Sequence, residues 1–141
     1  MNTPDDASTA TSVSVRAAAV TGAWLGASGM ALGAFGAHAL RARIAPEMLE
    51  IYRTGVLYHL FHAVALLAVA ALGSRLSRPR LTVALFAAGV LVFSGSLYTL
   101  AITGVRTWGA VTPVGGVALI AGWLSIAFGL GRPSASSLRR P

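Results

Sequence analysis

The chain has no cysteine, no lysine and only four acidic residues, Asp5, Asp6, Glu47 and Glu50, in 141 positions. Without cysteine there is no disulfide, no thiolate metal site and no cysteine nucleophile. Charge of either sign is scarce: charged residues make up 11% of the chain, against about 25% in a soluble domain. Hydrophobic residues make up 55% and the mean hydropathy is +0.72. These values describe an integral membrane protein. All eleven basic residues are arginine and the net charge is +7. The arginines lie between apolar runs and have no interleaved aromatics, so nucleic acid is not an expected partner. Their expected partners are the lipid bilayer and its anionic headgroups.

Four apolar runs are long enough to cross a bilayer, which takes about 20 residues. They span residues 17–40, 55–73, 81–103 and 113–130. The expected fold is all-α, a bundle of four transmembrane helices covering 16–131. Residues 1–15 and 132–141 are expected to be disordered tails. The N-terminal stretch is acidic and polar, and fits neither a signal peptide nor a transit peptide. In the connection 41–54, Pro46 suits a first helical turn and Glu47 complements the helix dipole. A short interfacial helix is therefore expected to start near Pro46 and to run into span two. Thr112-Pro113 reads as the start of span four. Seven arginines flank the side that carries both termini and four flank the other, so the termini are expected to be cytoplasmic. The setting would then be a bacterial plasma (inner) membrane.

Two helices carry stripes of small residues. Gly22, Gly26, Gly29, Gly33 and Gly36 recur at spacings of four, three, four and three, which keeps them on one helix face. Each would cost about 1 kcal/mol relative to Ala in water. In a bilayer the backbone must satisfy itself and the helix holds, leaving a groove for a neighbour. Gly115, Ala118, Gly122, Ser125 and Gly129 repeat the pattern in span four. Both stripes are expected to pack within one tight bundle.

Four polar motifs are expected to converge at the outer end: GAFGAH at 33–38, YHLFH at 58–62, FSGSLY at 93–98 and TPVGG at 112–116. At 1.5 Å per residue, His38 lies about 3 Å from the outer end of its span, and His62 and Ser96 about 10 Å in. The candidate cluster is His38, Tyr58, His62, Ser94, Ser96, Tyr98 and Thr112, with Glu50 and Arg53 at its mouth. Within a membrane such groups are a functional hypothesis. His59 and His62 could share a metal, but no carboxylate or thiolate lies in any span, so neither a metal nor a cofactor is expected. Two histidines could also hold a haem axially. Ser96 with His62 lacks the orienting carboxylate of a hydrolase, so an enzyme is not expected.

The motifs LGAFGAHAL, Tyr58-x-x-x-His62, VFSGSLYTLAITG and TPVGGVALIAGW together resemble the membrane family known as domain of unknown function 423. That family includes YgdD-like bacterial proteins and the eukaryotic transmembrane protein 256. The resemblance covers residues 16–131. It implies a compact membrane protein of about four helices, and brings no established activity, substrate or cofactor. The motif positions carried over are Gly33, Gly36 and His38; Tyr58 and His62; Ser94, Gly95, Ser96 and Tyr98; Thr112, Pro113, Gly115 and Gly116. His59 departs from the family pattern, in which an amide is common at that position. The expected function is non-enzymatic: the polar cluster binds or passes a small solute or proton. The alternatives are an assembly partner of a membrane complex, or a metal- or haem-binding protein.

Overall fold

The computed structural model describes residues 4–130. Four helices alternate in direction: α1 (Pro4–Phe35), α2 (Pro46–Leu72), α3 (Pro79–Thr103) and α4 (Thr107–Gly129). All four are long and apolar enough to cross a membrane. One π-helical turn, Gly36–Leu40, extends α1, and a short 3₁₀ turn, Gly73–Arg75, follows α2. Among the described residues there is no strand, only one isolated bridge between Leu76 and Leu130. That bridge puts the 73–78 turn beside the end of α4.

The ends of the helices follow local chemistry. Pro46 and Pro79 occupy first-turn positions, where the missing N–H costs nothing. Glu47 stands in the first turn of α2, against the positive end of the dipole. α3 stops at Gly104, whose φ of 70° is open to glycine.

As expected, α2 begins at Pro46 and runs on through residues 46–54 into span two. Two boundaries differ from the sequence expectation. α4 begins at Thr107, and Pro113 lies inside it. Residues 107–112 contain no proline and only one glycine, Gly109, and the Thr112 hydroxyl bonds Ser96 in place of a cap. α1 reaches back to Pro4, where a disordered tail over 1–15 was expected. Ser14 is buried and accepts a hydrogen bond from Arg80 Nε, which ties this segment to α3. The expected C-terminal tail lies outside the described residues.

α2 and α3 form the centre of the molecule; α1 flanks α2 and α4 flanks α3. Lipid tails are as apolar as leucine, so membrane helices associate through close packing and interhelical hydrogen bonds. The glycine stripe of α1 meets α2. A Cβ on Gly22 would sit 2.9 Å from the Ala63 carbonyl oxygen, and one on Gly36 would sit 2.6 Å from Tyr52 Cε1. The stripe of α4 meets α3: Gly115 lies on the Phe93 backbone, and Gly122 on the Phe86 ring. Both stripes are therefore filled inside the bundle. Large apolar side chains on the flanks face outward, Trp24 at 73% and Phe128 at 81% exposure.

Candidate functional site

Two buried histidines organise the polar interior. His59 is the midpoint of α2, and packs between α1 and α3. Its Nε2 lies 3.2 Å from Ser28 Oγ, and its Nδ1 lies 3.2 Å from the Tyr98 hydroxyl. Ser28 Oγ also lies 2.8 Å from the Trp24 carbonyl oxygen. Tyr98 has no other hydrogen-bond acceptor among the described residues. One arrangement satisfies every group: Tyr98 O–H donates to Nδ1, Nε2–H donates to Ser28 Oγ, and Ser28 O–H donates to the Trp24 carbonyl. Three helices are joined through one neutral ring. Beside it, Tyr98 packs against Tyr52 with centroids 4.8 Å apart, and Tyr52 O–H donates to the Leu32 carbonyl at 2.9 Å.

His62 lies one turn on, directed toward α4. Trp123 Nε1–H can only donate, so His62 Nε2 accepts it at 3.2 Å. His62 Nδ1 is then protonated and donates to the Tyr58 carbonyl oxygen at 2.8 Å. Four rings surround His62: Tyr58, Phe61, Phe86 and Trp123, with centroids 5.3–6.1 Å away. The two histidines are thus neutral in opposite tautomers and turned to different neighbours.

Serine and threonine pairs join α3 to α4 at two levels. Ser96 Oγ lies 2.8 Å from Thr112 Oγ1 and donates to the Phe93 carbonyl at 2.9 Å. Thr82 Oγ1 lies 2.7 Å from Ser125 Oγ, which donates to the Gly122 carbonyl at 2.7 Å. The pairs are fourteen residues apart on α3, about 21 Å along the helix. Thr82 and Ser125 stand at the end that carries the 73–78 turn, so the polar joints are not gathered at one end.

The expected meeting of His62, Ser96 and Tyr98 does not occur. Each finds a different partner: His62 meets Trp123 and Ser96 meets Thr112, eleven residues apart on α4, while Tyr98 turns to His59 on α2. Tyr58 is 40% exposed and packs tilted against Phe93 with centroids 4.5 Å apart. His38 is exposed on the π turn, apart from the other six. Ser94 is buried, and its Oγ has no hydrogen-bond partner. Glu50 and Arg53 form an exposed ion pair. Ser28 and Trp123, which the sequence reading did not single out, complete the two histidine joints. Among the described residues no group of three His, Asp or Glu side chains stands close enough to hold a metal ion.

Two open grooves mark the surface. One of about 560 Å³ lies over Tyr58, Phe61, His62, Phe93 and Trp123, with Gly116 at its α4 edge. The other, about 440 Å³, lies between the start of α3 and the end of α4, with Ser77 and Arg78 at its mouth.

Comparison with known proteins agrees with this architecture. Residues 32–116 match the family described as "Protein of unknown function (DUF423)". The chain is 48% identical over 98 residues to the membrane protein YwdK of Bacillus subtilis, which covers 67% of this chain and 80% of that protein. It is 45% identical over 96 residues to the inner membrane protein YgdD of Escherichia coli, covering 67% and 73%. A membrane protein of Haemophilus influenzae is 42% identical over 103 residues, covering 71% and 82%. No solved structure matches. With four membrane-length helices and relatives at these identities, the chain belongs to the DUF423 family of multi-pass membrane proteins, whose molecular function is unknown.

Proposed function

We propose that this protein is a non-enzymatic structural component of the bacterial plasma membrane that assembles with a membrane partner, its polar side chains joining its own helices. One observation carries this reading: both ring nitrogens of His59 and of His62 are committed to interhelical or backbone hydrogen bonds. A ring that lends both nitrogens to fixed partners is neither an open ligand nor a free proton carrier. The outward faces of α1 and α4 are the surfaces left for a partner. With its termini in the cytoplasm, the protein turns Arg75 and Arg78 toward anionic headgroups of that leaflet. Reporter fusions active only on one side of the membrane, placed at the C-terminus and after Arg43, test the orientation.

Mutagenesis tests the structural role. His62→Ala and Ser96→Ala are expected to lower the stability of the inserted protein in proportion to the bonds removed. Loss of a transport or binding phenotype in a fully stable variant would refute the structural reading.

A second reading has one observation in its favour. The buried, unpartnered Ser94 hydroxyl is the group that a bound water, a small solute or a passing proton would satisfy. Under that reading Ser94→Ala removes a transport phenotype and leaves stability intact. Metal or haem binding would have to break the joints at His59 and His62. An absorbance scan and metal analysis of purified protein test that directly.

A further inference from the structure

The groove between the start of α3 and the end of α4 differs in kind from the aromatic one. Its walls are two apolar rails at helical spacing, Leu81 and Leu85 on α3, and Leu124 and Phe128 on α4. Leu81, Leu124 and Phe128 are 44%, 49% and 81% exposed, so the rails open sideways into the bilayer. The polar groups on the floor satisfy one another, since Ser125 is held by Thr82. The mouth is different. Ser77 and Arg78 line it, and both are exposed.

Charge at this mouth has one sign. Arg75, Arg78 and Arg80 fall within six residues that contain no acid. Arg80 is turned to Ser14. Among the described residues Arg78 has no acidic partner: the ion pair found there is Arg53 with Glu50, in the first turns of α2. The remaining acids, Asp5 and Asp6, precede Ser14 by eight or more positions. A cation thus stands at the interface end of a short apolar channel that opens to lipid.

We infer that this groove is a binding site for one anionic glycerophospholipid, its phosphate on Arg78 and Ser77 and one acyl chain between the leucine and phenylalanine rails. Arginine suits the phosphate because its planar fork offers several donors in fixed geometry. A protein helix is the poorer occupant. It docks through anchors at i, i+3, i+4 and i+7, whereas each wall here offers two large side chains one turn apart. The inference rests on the reading that the arginine-rich turns meet anionic headgroups, and narrows it to one arginine and one groove.

The test uses the full chain in nanodiscs and in detergent, with native mass spectrometry as the readout. The probes are phosphatidylglycerol and phosphatidylcholine of identical chains, with glycerol phosphate as the free headgroup. The expected result is one retained phosphatidylglycerol per chain, held in preference to phosphatidylcholine and not displaced by glycerol phosphate. Arg78→Gln, at an exposed position, is expected to weaken retention about fivefold, from the usual worth of one arginine at a lipid surface. Leu81→Trp keeps the charge and fills the groove, and should lower retention as well. Arg106→Gln, in the α3–α4 turn, is the control and should change nothing. Equal loss from Arg78→Gln and Arg106→Gln would overturn the groove and leave the general attraction to headgroups standing. No preference for phosphatidylglycerol at all would overturn both. Displacement by glycerol phosphate alone would make the site an anion site and refute the part given to the acyl chain.

Discussion

His59 and His62 stand three residues apart on one helix, yet they are wired in opposite senses. His59 protonates Nε2 and bridges two side chains on two other helices, Ser28 and Tyr98. His62 protonates Nδ1, spends it on its own backbone at Tyr58, and receives one bond from Trp123. His59 needs one acceptor and one donor at fixed distance, which an amide side chain also supplies. His62 fills a space walled by four rings, where shape matters as much as the bond. One histidine is a connector and the other is part of an aromatic core. An amide at the first position is therefore chemically natural, and an amide at the second is not.

Substitutions can sharpen or break this contrast. The largest effect is expected from His62→Ala, which removes a ring buried among Tyr58, Phe61, Phe86 and Trp123 and leaves a cavity. A loss of about 3 kcal/mol is expected, measured as a shift in denaturant-induced unfolding in detergent micelles. His59→Ala should cost somewhat less, about 2 kcal/mol, because its two membrane hydrogen bonds average well under 1 kcal/mol each and one ring, Tyr98, packs on it where four pack on His62. Trp123→Phe keeps an aromatic ring against His62 but loses the donor and part of the indole packing, for an expected cost of about 1 kcal/mol. His59→Gln should be the mildest, within about 0.5 kcal/mol of the unmodified chain, since Oε1 can accept from Tyr98 and Nε2 can donate to Ser28. A His59→Gln loss as large as that of His59→Ala would mean that the ring itself is required. The contrast between the two positions would then fall.

The architecture was open to reading in the sequence because membrane spans are written in composition. Four uncharged runs, two stripes of small residues and a first-turn proline at 46 are local signals, and each corresponds to an observed element; Pro79, which opens α3 two residues before the expected span, was passed over. Pro113 misled for a local reason. Proline and a preceding threonine usually start a helix, but residues 107–112 hold no proline and a single glycine, and Thr112 turns to Ser96 instead of capping.

The site was less legible. Periodicity and depth brought His62, Ser96 and Tyr98 to a similar level, but level does not decide direction around a helix. Ser96 and Tyr98 are two residues apart on α3, about 200° around the helix, and so address different neighbours. The partners that complete the joints were hidden for the same reason. Ser28 is one serine inside a glycine stripe, and Trp123 resembles an ordinary lipid-facing tryptophan until α4 is docked on α3. Ser125 was visible only as a small residue in a stripe, although its hydroxyl secures the far end of that seam through Thr82.

The central claim is that the buried histidines are fixed joints, and their protonation pattern tests it most directly. Solid-state ¹⁵N spectra of ring-labelled histidine, taken on the protein in lipid bilayers with His38→Gln to remove the exposed ring, resolve each tautomer. The account predicts two static neutral rings, one protonated at Nε2 for His59 and one at Nδ1 for His62. A charged imidazolium, or a ring exchanging between tautomers at either position, would contradict it and return the cluster to the role of a proton or solute path.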